Sequence, residues 1–452
     1  MDRALAAAWL DEHNIHLVRI DGINHDGMPI GKHLSRDKFL SVLDHGSAVS
    51  DIAFGFDYAG APYLAWWDEW RSVGLSDALQ VPDPSTLALV ANRPGVAMAL
   101  CSHRLGDGSE HPVCPRGLLQ RVTERLAADG LRTVAAFELE FLAFRESFAD
   151  ARTNGYRSLT PLGLPIPLSY LSYNAHQQAP FMDEVLRRLD LAGVPWDGWN
   201  DEAAPGQIEL NFRPADAVTA CDHLVRARAI VRETAYDLGY SVTFMAKPSP
   251  EYGNGTHVHH SVWRGEENLM ADSTSRMHWL AGLMQTLVPG VSIAAPTINS
   301  YRRFTAFSAA PTHPRWADND KTVAVRVLAE GARSSRIEYR VGAGDTNPYY
   351  LLALVLASGH YGLQNRLDPP PPSGGVGWAL PPGTPRVPES LSAAVAALRA
   401  DRLLPELLGD AFCSFWANSR EWEWLMFNST GGDPLAETTT DWELNRYFEI
   451  VG

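Results

Sequence analysis

Two glutamates, Glu138 and Glu140, stand two positions apart in the otherwise apolar segment 134–142. On a strand both carboxylates would project from the same face, because side chains alternate between the two faces. Unpaired carboxylates in apolar surroundings repel each other and are costly to desolvate, so a cation is their natural partner. The pair therefore predicts a metal site. Taken alone, it also fits a solvated strand face, which is the alternative.

A second pair of acids, Glu202 and Glu209, flanks a proline and a glycine, Pro205 and Gly206. Proline and glycine together predict a turn, which would bring both carboxylates to one place. An ordinary polar loop is the alternative for this pair.

Glycines and histidines follow each other closely further along the chain. Gly253 and Gly255 allow the backbone to approach a ligand, and His257, His259 and Ser261 alternate so that a strand would place them on one face. This pattern indicates a metal ligand and a phosphate contact, whereas a lone histidine would more often be a satisfied core residue.

Cationic side chains form the fourth group. Arg336 and Arg340 flank Glu338 at a spacing of two residues, for which a buried ladder of salt bridges is the alternative. Further cations lie upstream, at Arg302, Arg303, Lys321 and Arg326.

An acidic metal cluster that faces an arginine cluster suits a nucleotide-dependent reaction on a carboxylic acid. Divalent metals hold the phosphates, while arginines bind the acid and spread the charge of the transferring phosphoryl group. Several carboxylates with one or two histidines favour Mg²⁺ or Mn²⁺ over zinc.

The elements that must position these groups are predicted from periodicity and from proline and glycine signals. Short alternating segments between residues 12 and 104 predict a small mixed sheet, and residues 105–112 predict a linker. Helices are expected over residues 115–130, 181–193, 216–238 and 389–408, and a surface loop over 369–388.

Composition narrows the class of protein. The chain has 452 residues, is 45% apolar and carries a net charge of −15 without blocks of like charge, which excludes a nucleic-acid or anionic-membrane partner. No apolar run is long enough to span a bilayer, and the four cysteines form no CxxC pair. We expect a cytoplasmic protein with reduced thiols.

These motifs, in this order, resemble the glutamine synthetase superfamily, and within it the γ-glutamyl-amine ligases that act on polyamines or alkylamines. The resemblance covers nearly the whole chain and implies an α+β fold. A small β-grasp-like domain, residues 1–106, would precede a large glutamine synthetase-type catalytic domain, residues 107–452, with an antiparallel sheet and helices. The resemblance also implies a homo-oligomer, a dodecamer of two hexameric rings, with active sites between neighbouring subunits.

The resemblance assigns roles to the residues singled out above. One metal would be held by Glu140, Glu202 and Glu209, and a second by Glu138, His257 and Glu338. Glutamate would be bound by Arg303, Arg340, Gly253 and Gly255, ATP would be bound by His259, Ser261 and Arg336, and the phosphoryl group would be stabilised by Arg326 and Lys321.

Departures from the family bear on the acceptor. Ala309, in the segment 304–311, stands where glutamine synthetases carry the flap glutamate that completes the ammonium pocket, so an amine with an organic substituent gains room. Asp57 is the best match to the base that deprotonates the amine, with a plain turn aspartate as the alternative. Tyr170 or Tyr173 would line the amine pocket.

The resulting hypothesis is an ATP-dependent ligase that forms a γ-glutamyl amide from L-glutamate and a primary organic amine through γ-glutamyl phosphate. A polyamine, ethanolamine, an alkylamine and an aromatic amine all remain open as acceptors. The alternatives are a true glutamine synthetase that uses ammonia and a non-catalytic regulatory or structural paralogue.

Overall fold

The computed structural model describes residues 1–63, 76–250 and 252–452. Its N-terminal part is a mixed sheet in the strand order β2-β1-β6-β4-β3, with β5 paired to β6. The strands β1 and β6 are parallel and the other pairs are antiparallel. The elements are α1 (Arg3–Glu12), β1 (Leu17–Ile23), β2 (Pro29–Ser35), α2 (Arg36–Val42), β3 (Ser47–Ser50), β4 (Asp77–Pro82), β5 (Ala88–Leu89) and β6 (Val96–Arg104).

The larger part of the chain is built on a second sheet, in the order β14-β15-β16-β12-β7-β9-β8, with β10 and β11 also paired to β7 and β13 paired to β12. Only the pair β14 and β15 is parallel among the described strands of this sheet. The strands are β7 (Arg132–Phe144), β8 (Trp196–Asp201), β9 (Gln207–Phe212), β10 (Ala215–Asp216), β11 (Ser241–Thr243), β12 (Thr256–Arg264), β13 (Glu267–Asn268), β14 (Trp316–Asp318), β15 (Val325–Leu328) and β16 (Arg336–Tyr339).

Helices cover this sheet and enclose the main core. Because Gly282 and Gly359 have no side chains, α7 and α8 approach so closely that a Cβ atom on Gly282 would lie 2.0 Å from the Ser358 carbonyl oxygen. The helices are α3 (Pro115–Ala128), α4 (Phe148–Thr153), α5 (Ser172–Leu191), α6 (Ala217–Leu238), α7 (Ser273–Ala294), α8 (Pro348–Gln364), α9 (Leu391–Ala400), α10 (Leu403–Leu408), α11 (Asp410–Ser429) and α12 (Asp441–Tyr447).

Buried ion pairs tie the N-terminal part to the last helices. Asp26 accepts a hydrogen bond of 2.6 Å from Arg420, and Asp57 accepts one of 2.8 Å from Arg446. All four side chains are buried. Each aspartate is therefore paired with an arginine from the other end of the chain, and a buried ion that loses its counter-ion is strongly destabilising.

The α+β architecture predicted from the sequence is confirmed, as are the N-terminal mixed sheet, the helix from Pro115, the helix that ends before Gly239 and the irregular segment 369–388. Gly239 ends its helix in the left-handed conformation, at φ 74°. Two predicted helices differ. The helix expected to begin at 181 begins at Ser172, and the region 389–408 is divided into α9 and α10 at Asp401.

Candidate active site

Strand pairing brings the predicted acids together from distant parts of the chain. Across β7 and β9, Glu140 lies opposite Glu209, and across β7 and β12, Glu138 lies opposite His257. On the other edge of β12, Glu338 of β16 lies opposite His259. Side chains opposite each other on one face are neighbours, so four strands assemble one cluster of ligand atoms.

This cluster lines a cavity of about 330 Å³. The six predicted metal ligands all line it, together with the predicted phosphoryl-contacting cations and most of the predicted glutamate contacts. Its lining residues are Glu138, Glu140, Ser169, Tyr170, Glu202, Ala203, Gln207, Glu209, Tyr252, Gly253, His257, Arg303, Ser308, Ala309, Lys321, Arg326, Glu338 and Arg340.

Glu138 and Glu338 are held as carboxylates by cationic or imidazole neighbours. Glu138 accepts hydrogen bonds of 3.0 Å from His257 Nδ1 and 2.8 Å from His259 Nε2. Burial raises the pKa of Glu138, but these two hydrogen bonds outweigh it and hold the pKa well below its ordinary value. Glu338 is bonded by Arg340 and, at 3.0 Å, by Arg326, and its pKa is lowered in spite of burial.

The pKa values of Glu202 and Glu209 are shifted in the opposite direction, upwards. Burial, followed by the neighbouring carboxylates Glu138 and Glu140, raises the pKa of Glu209 to about 8. Burial and Glu140 also raise the pKa of Glu202. A divalent cation would relieve this repulsion.

The donor set fits one or more hard divalent cations. Carboxylate oxygens are the preferred ligands of Mg²⁺ and Mn²⁺, and an imidazole nitrogen is compatible with Mn²⁺. One ligand atom from each of Glu138, His259 and Glu338 lies within 4.8 Å of the others. His257 Nδ1 is also 3.8 Å from Glu140 and 3.9 Å from Glu338, so both histidines reach the cluster. His259, predicted as an ATP contact, thus borders the metal cluster as well.

The glycines expected at the substrate leave space that a side chain would fill. A Cβ atom on Gly255 would lie 2.6 Å from His257 Nε2 and 2.8 Å from Arg303 Nη2. The backbone nitrogen of Gly255 instead donates a 2.6 Å hydrogen bond to Glu140. Gly253 lines the cavity, whereas Gly255 is not among the lining residues and instead helps to hold Glu140 in place.

Arg303 and Arg340 bring two buried guanidinium groups to the same cavity. Burial, opposed in part by Glu140, lowers the pKa of Arg303 to about 10, which still leaves it charged at neutral pH. Its Nη2 atom lies 3.3 Å from His257 Nε2. Two buried cations beside one cavity form a site for a carboxylate ligand.

A second cavity, of about 630 Å³, adjoins the first at Glu138. The three predicted ATP contacts, His259, Ser261 and Arg336, all line it. Arg336 donates a 3.2 Å hydrogen bond to His259 Nδ1, and Trp263 donates one of 2.9 Å to Ser261. The two cavities therefore place a large binding volume next to the acidic cluster.

Asp57 lies outside the residues that line either cavity. Its Oδ2 atom accepts hydrogen bonds of 2.9 Å from Trp422 and 2.8 Å from Arg446, and its Oδ1 atom accepts from two backbone nitrogens. Burial raises the pKa of Asp57, but these bonds bring it below the ordinary value. In a single chain Asp57 thus has the surroundings of a structural carboxylate, and its role as a base stays a prediction.

The structure distinguishes the two tyrosines and adds one residue, Gln207, that sequence reasoning missed. Tyr170 lines the first cavity, whereas Tyr173 does not. Gln207 was not singled out, yet its side-chain nitrogen donates 2.9 Å to the Gly253 carbonyl and 3.0 Å to Asn254. The sequence signal for Gln207 is its position after the predicted turn, two residues before Glu209.

Comparisons with known proteins agree with this geometry. Residues 112–447 match the family model described as glutamine synthetase, catalytic domain. A glutamate–isopropylamine ligase from a Pseudomonas species is 31% identical over 98% of this chain and 97% of its own length. The gamma-glutamylethanolamide synthetase GlnA4 of Streptomyces coelicolor is 32% identical over 93% of this chain and 89% of its own. A solved GmaS/ADP complex aligns with a TM-score of 0.82 and 25% identity, over 97% of this chain and 98% of that one. The chain belongs to the glutamine synthetase family and is an ATP-dependent, ADP-forming carbon–nitrogen ligase.

Proposed function

We propose that this ligase joins L-glutamate to a primary organic amine, with γ-glutamyl phosphate as the intermediate and ADP and phosphate as the other products. The γ-carboxylate of glutamate would attack the terminal phosphorus of ATP and release ADP. The amine nitrogen would then attack the acyl carbon, lose a proton and release phosphate. Both steps would take place in the cavity that the acidic cluster and the arginines line.

The first step would depend on charge placed around the phosphoryl group. Arg303 and Arg340 would bind the glutamate carboxylates, while Arg326 and Lys321 would stabilise the equatorial oxygens during transfer. Metal ions held by Glu140, Glu202 and Glu209, and by Glu138, His257 and Glu338, would neutralise phosphate charge when bound.

The small, uncharged side chain of Ala309 is the observation that favours an organic amine over ammonia as the acceptor. It lines the cavity, and its carbonyl oxygen accepts a 3.3 Å hydrogen bond from Arg340. The segment 304–311, which provides it, contains no acidic residue. A small uncharged side chain here offers no anionic group for an ammonium ion and leaves volume for a substituent.

The names of relatives support the same choice. Isopropylamine and ethanolamine, the amines named for the Pseudomonas and Streptomyces proteins, are both primary organic amines. We extend that acceptor class to this chain. We also propose the ring-shaped dodecamer that the family resemblance implies, which sedimentation analysis would test.

Phosphate release with glutamate, ATP and Mg²⁺ or Mn²⁺ tests the reaction, with ammonia compared with a panel of amines and the product identified by mass. Amine-selective turnover and a γ-glutamyl amide product are expected. Turnover with ammonia alone would instead support glutamine synthetase activity, and metal-dependent ATP binding without turnover would support a non-catalytic paralogue. Glu338→Gln should abolish phosphate release, whereas Glu267→Gln, at an exposed position outside the lining of both cavities, should not.

A further inference from the structure

Two apolar segments of the chain border the cavity. Residues 163–171 contribute Ser169 and Tyr170 to its lining, and residues 304–311 contribute Ser308 and Ala309. Neither segment contains an acidic or a basic residue. Both expose large apolar side chains to solvent, including Ile166, Leu168, Tyr170 and Phe307. Exposed apolar groups beside a binding cavity mark a surface that is suited to an apolar ligand.

The backbone holds both segments in conformations that are uncommon for residues other than glycine. Tyr170 has φ 60°, Phe307 φ 63° and Ala309 φ 59°, all in the left-handed region. Such conformations cost free energy and cluster at ligand-binding sites. Tyr170 lines the cavity although it is 63% exposed.

The second segment is supported by an aromatic contact. Phe307 packs against Trp378 of the proline-rich loop, with ring centroids 5.5 Å apart. This contact fixes the segment that carries Ala309.

The described residues of this chain that line the cavity include no carboxylate, besides the candidate metal ligands, that could pair with a second ammonium group. Among the described lining residues, every acidic side chain is a candidate metal ligand: Glu138, Glu140, Glu202, Glu209 and Glu338. The remaining charged lining residues are cations, Arg303, Lys321, Arg326 and Arg340. A second ammonium on the acceptor would meet metal-neutralised carboxylates and like charges, and it would be desolvated against apolar segments.

We infer that the acceptor is a primary monoamine with an apolar alkyl or aryl substituent, which lies between Tyr170 and the segment 304–311. Diamines and polyamines are therefore poor acceptors. This inference rests on the proposed function, because it names the class of amine that the same site would take.

A matched pair of acceptors tests the class directly. Butylamine and 1,4-diaminobutane have equal chain lengths and differ by one terminal ammonium group. We expect kcat/KM to be at least tenfold higher for butylamine, and to rise two- to fourfold for each methylene added from methylamine to butylamine. Equal or better use of 1,4-diaminobutane, or no gain with chain length, would overturn the inference. Benzylamine extends the series to aryl substituents.

Hydroxylamine trapping separates the failure of this inference from the failure of the proposed function. Hydroxylamine is small and intercepts γ-glutamyl phosphate as a hydroxamate, so it reports the first step independently of the substituent. Hydroxamate without monoamine preference would reject the acceptor class only. Absence of hydroxamate with glutamate, ATP and metal would reject the proposed function and the inference with it.

Two pairs of variants test whether Ala309 and Tyr170 determine the preference for apolar monoamines. Ala309→Glu should lower the ratio of butylamine to 1,4-diaminobutane turnover at least tenfold, while Ala309→Gln, which has similar size without the charge, should leave that ratio within about twofold. Tyr170→Ala should reduce the gain per methylene, whereas Tyr173→Ala, at an exposed position outside the cavity lining, should not. Ratios are compared within each variant, because a merely structural defect would lower both rates together. An unchanged ratio in Ala309→Glu and an unchanged gain in Tyr170→Ala would overturn the assignment.

Discussion

Removing one carboxylate from the acidic cluster is expected to stabilise the metal-free protein, although it removes a metal ligand. Burial and the neighbouring carboxylates raise the pKa of Glu209 to about 8, from an ordinary value of 4.5. Between these two values the folded protein keeps a proton that the unfolded chain has lost. Stability therefore falls as pH rises from about 4.5 to about 8, and it does not recover above that window.

The size of this effect follows from the two pKa values. Each pH unit between 4.5 and neutrality costs about 1.4 kcal/mol, which amounts to about 3 kcal/mol at pH 7. Glu209→Gln carries no proton to lose, so its unfolding temperature should depend less on pH. Some dependence will remain, because Glu202 also has a raised pKa.

Thermal unfolding in EDTA, at fixed protein concentration, measures the difference. At pH 8.5 the variant should unfold at a higher temperature than the wild type, and at pH 5 the two should nearly coincide. Mn²⁺ at pH 8.5 should raise the unfolding temperature of the wild type more than that of the variant. Glu267→Gln, at an exposed position, should follow the wild type throughout. Parallel pH profiles for the wild type and Glu209→Gln would refute the account of Glu209.

Three further changes have defined outcomes. Gly255→Ala should reduce phosphate release at least hundredfold, since the added Cβ atom would lie 2.8 Å from Arg303 Nη2, and retention of activity would contradict the close approach. Asp57→Asn should lower the free energy of unfolding by about 1–3 kcal/mol because it weakens the bond to Arg446, as thermal unfolding would show. Loss of amine-dependent turnover at unchanged stability would instead assign Asp57 as the base. Phe307→Ala removes an aromatic contact worth about 1 kcal/mol, so the KM for the amine should rise severalfold in steady-state assays.

The acidic cluster could be predicted from the sequence because its members sit in short motifs with a strand period. Glu138 and Glu140 belong to one strand face, and the structure adds only the register that puts Glu209 and His257 opposite them. Register depends on pairing between residues 69 and 119 positions apart in the chain, which local periodicity does not encode.

Residues that reach the site through loops were less predictable. Two tyrosines, Tyr170 and Tyr173, looked equivalent in the sequence, but the left-handed backbone at Tyr170 directs that residue to the cavity and helix α5 begins just after it. Asp57 matches a motif, yet the hydrogen bonds to its Oδ2 atom come from α11 and α12, far along the chain. Loop conformation and long-range pairing depend on tertiary structure, so no local pattern reports them.

The buried pairs of Asp26 with Arg420 and of Asp57 with Arg446 also constrain the order in which the protein can assemble during translation. The partners are 394 and 389 positions apart, so the N-terminal sheet leaves the ribosome long before its counter-ions have been synthesised. Until then, Asp26 would have only the neighbouring His25 as a partner, and Asp57 would have no cationic partner among the described residues, so burying either aspartate would cost several kcal/mol. We therefore expect Asp26 and Asp57, which lie outside the strands of the N-terminal sheet, to stay hydrated in the nascent chain until the C-terminal helices have been synthesised.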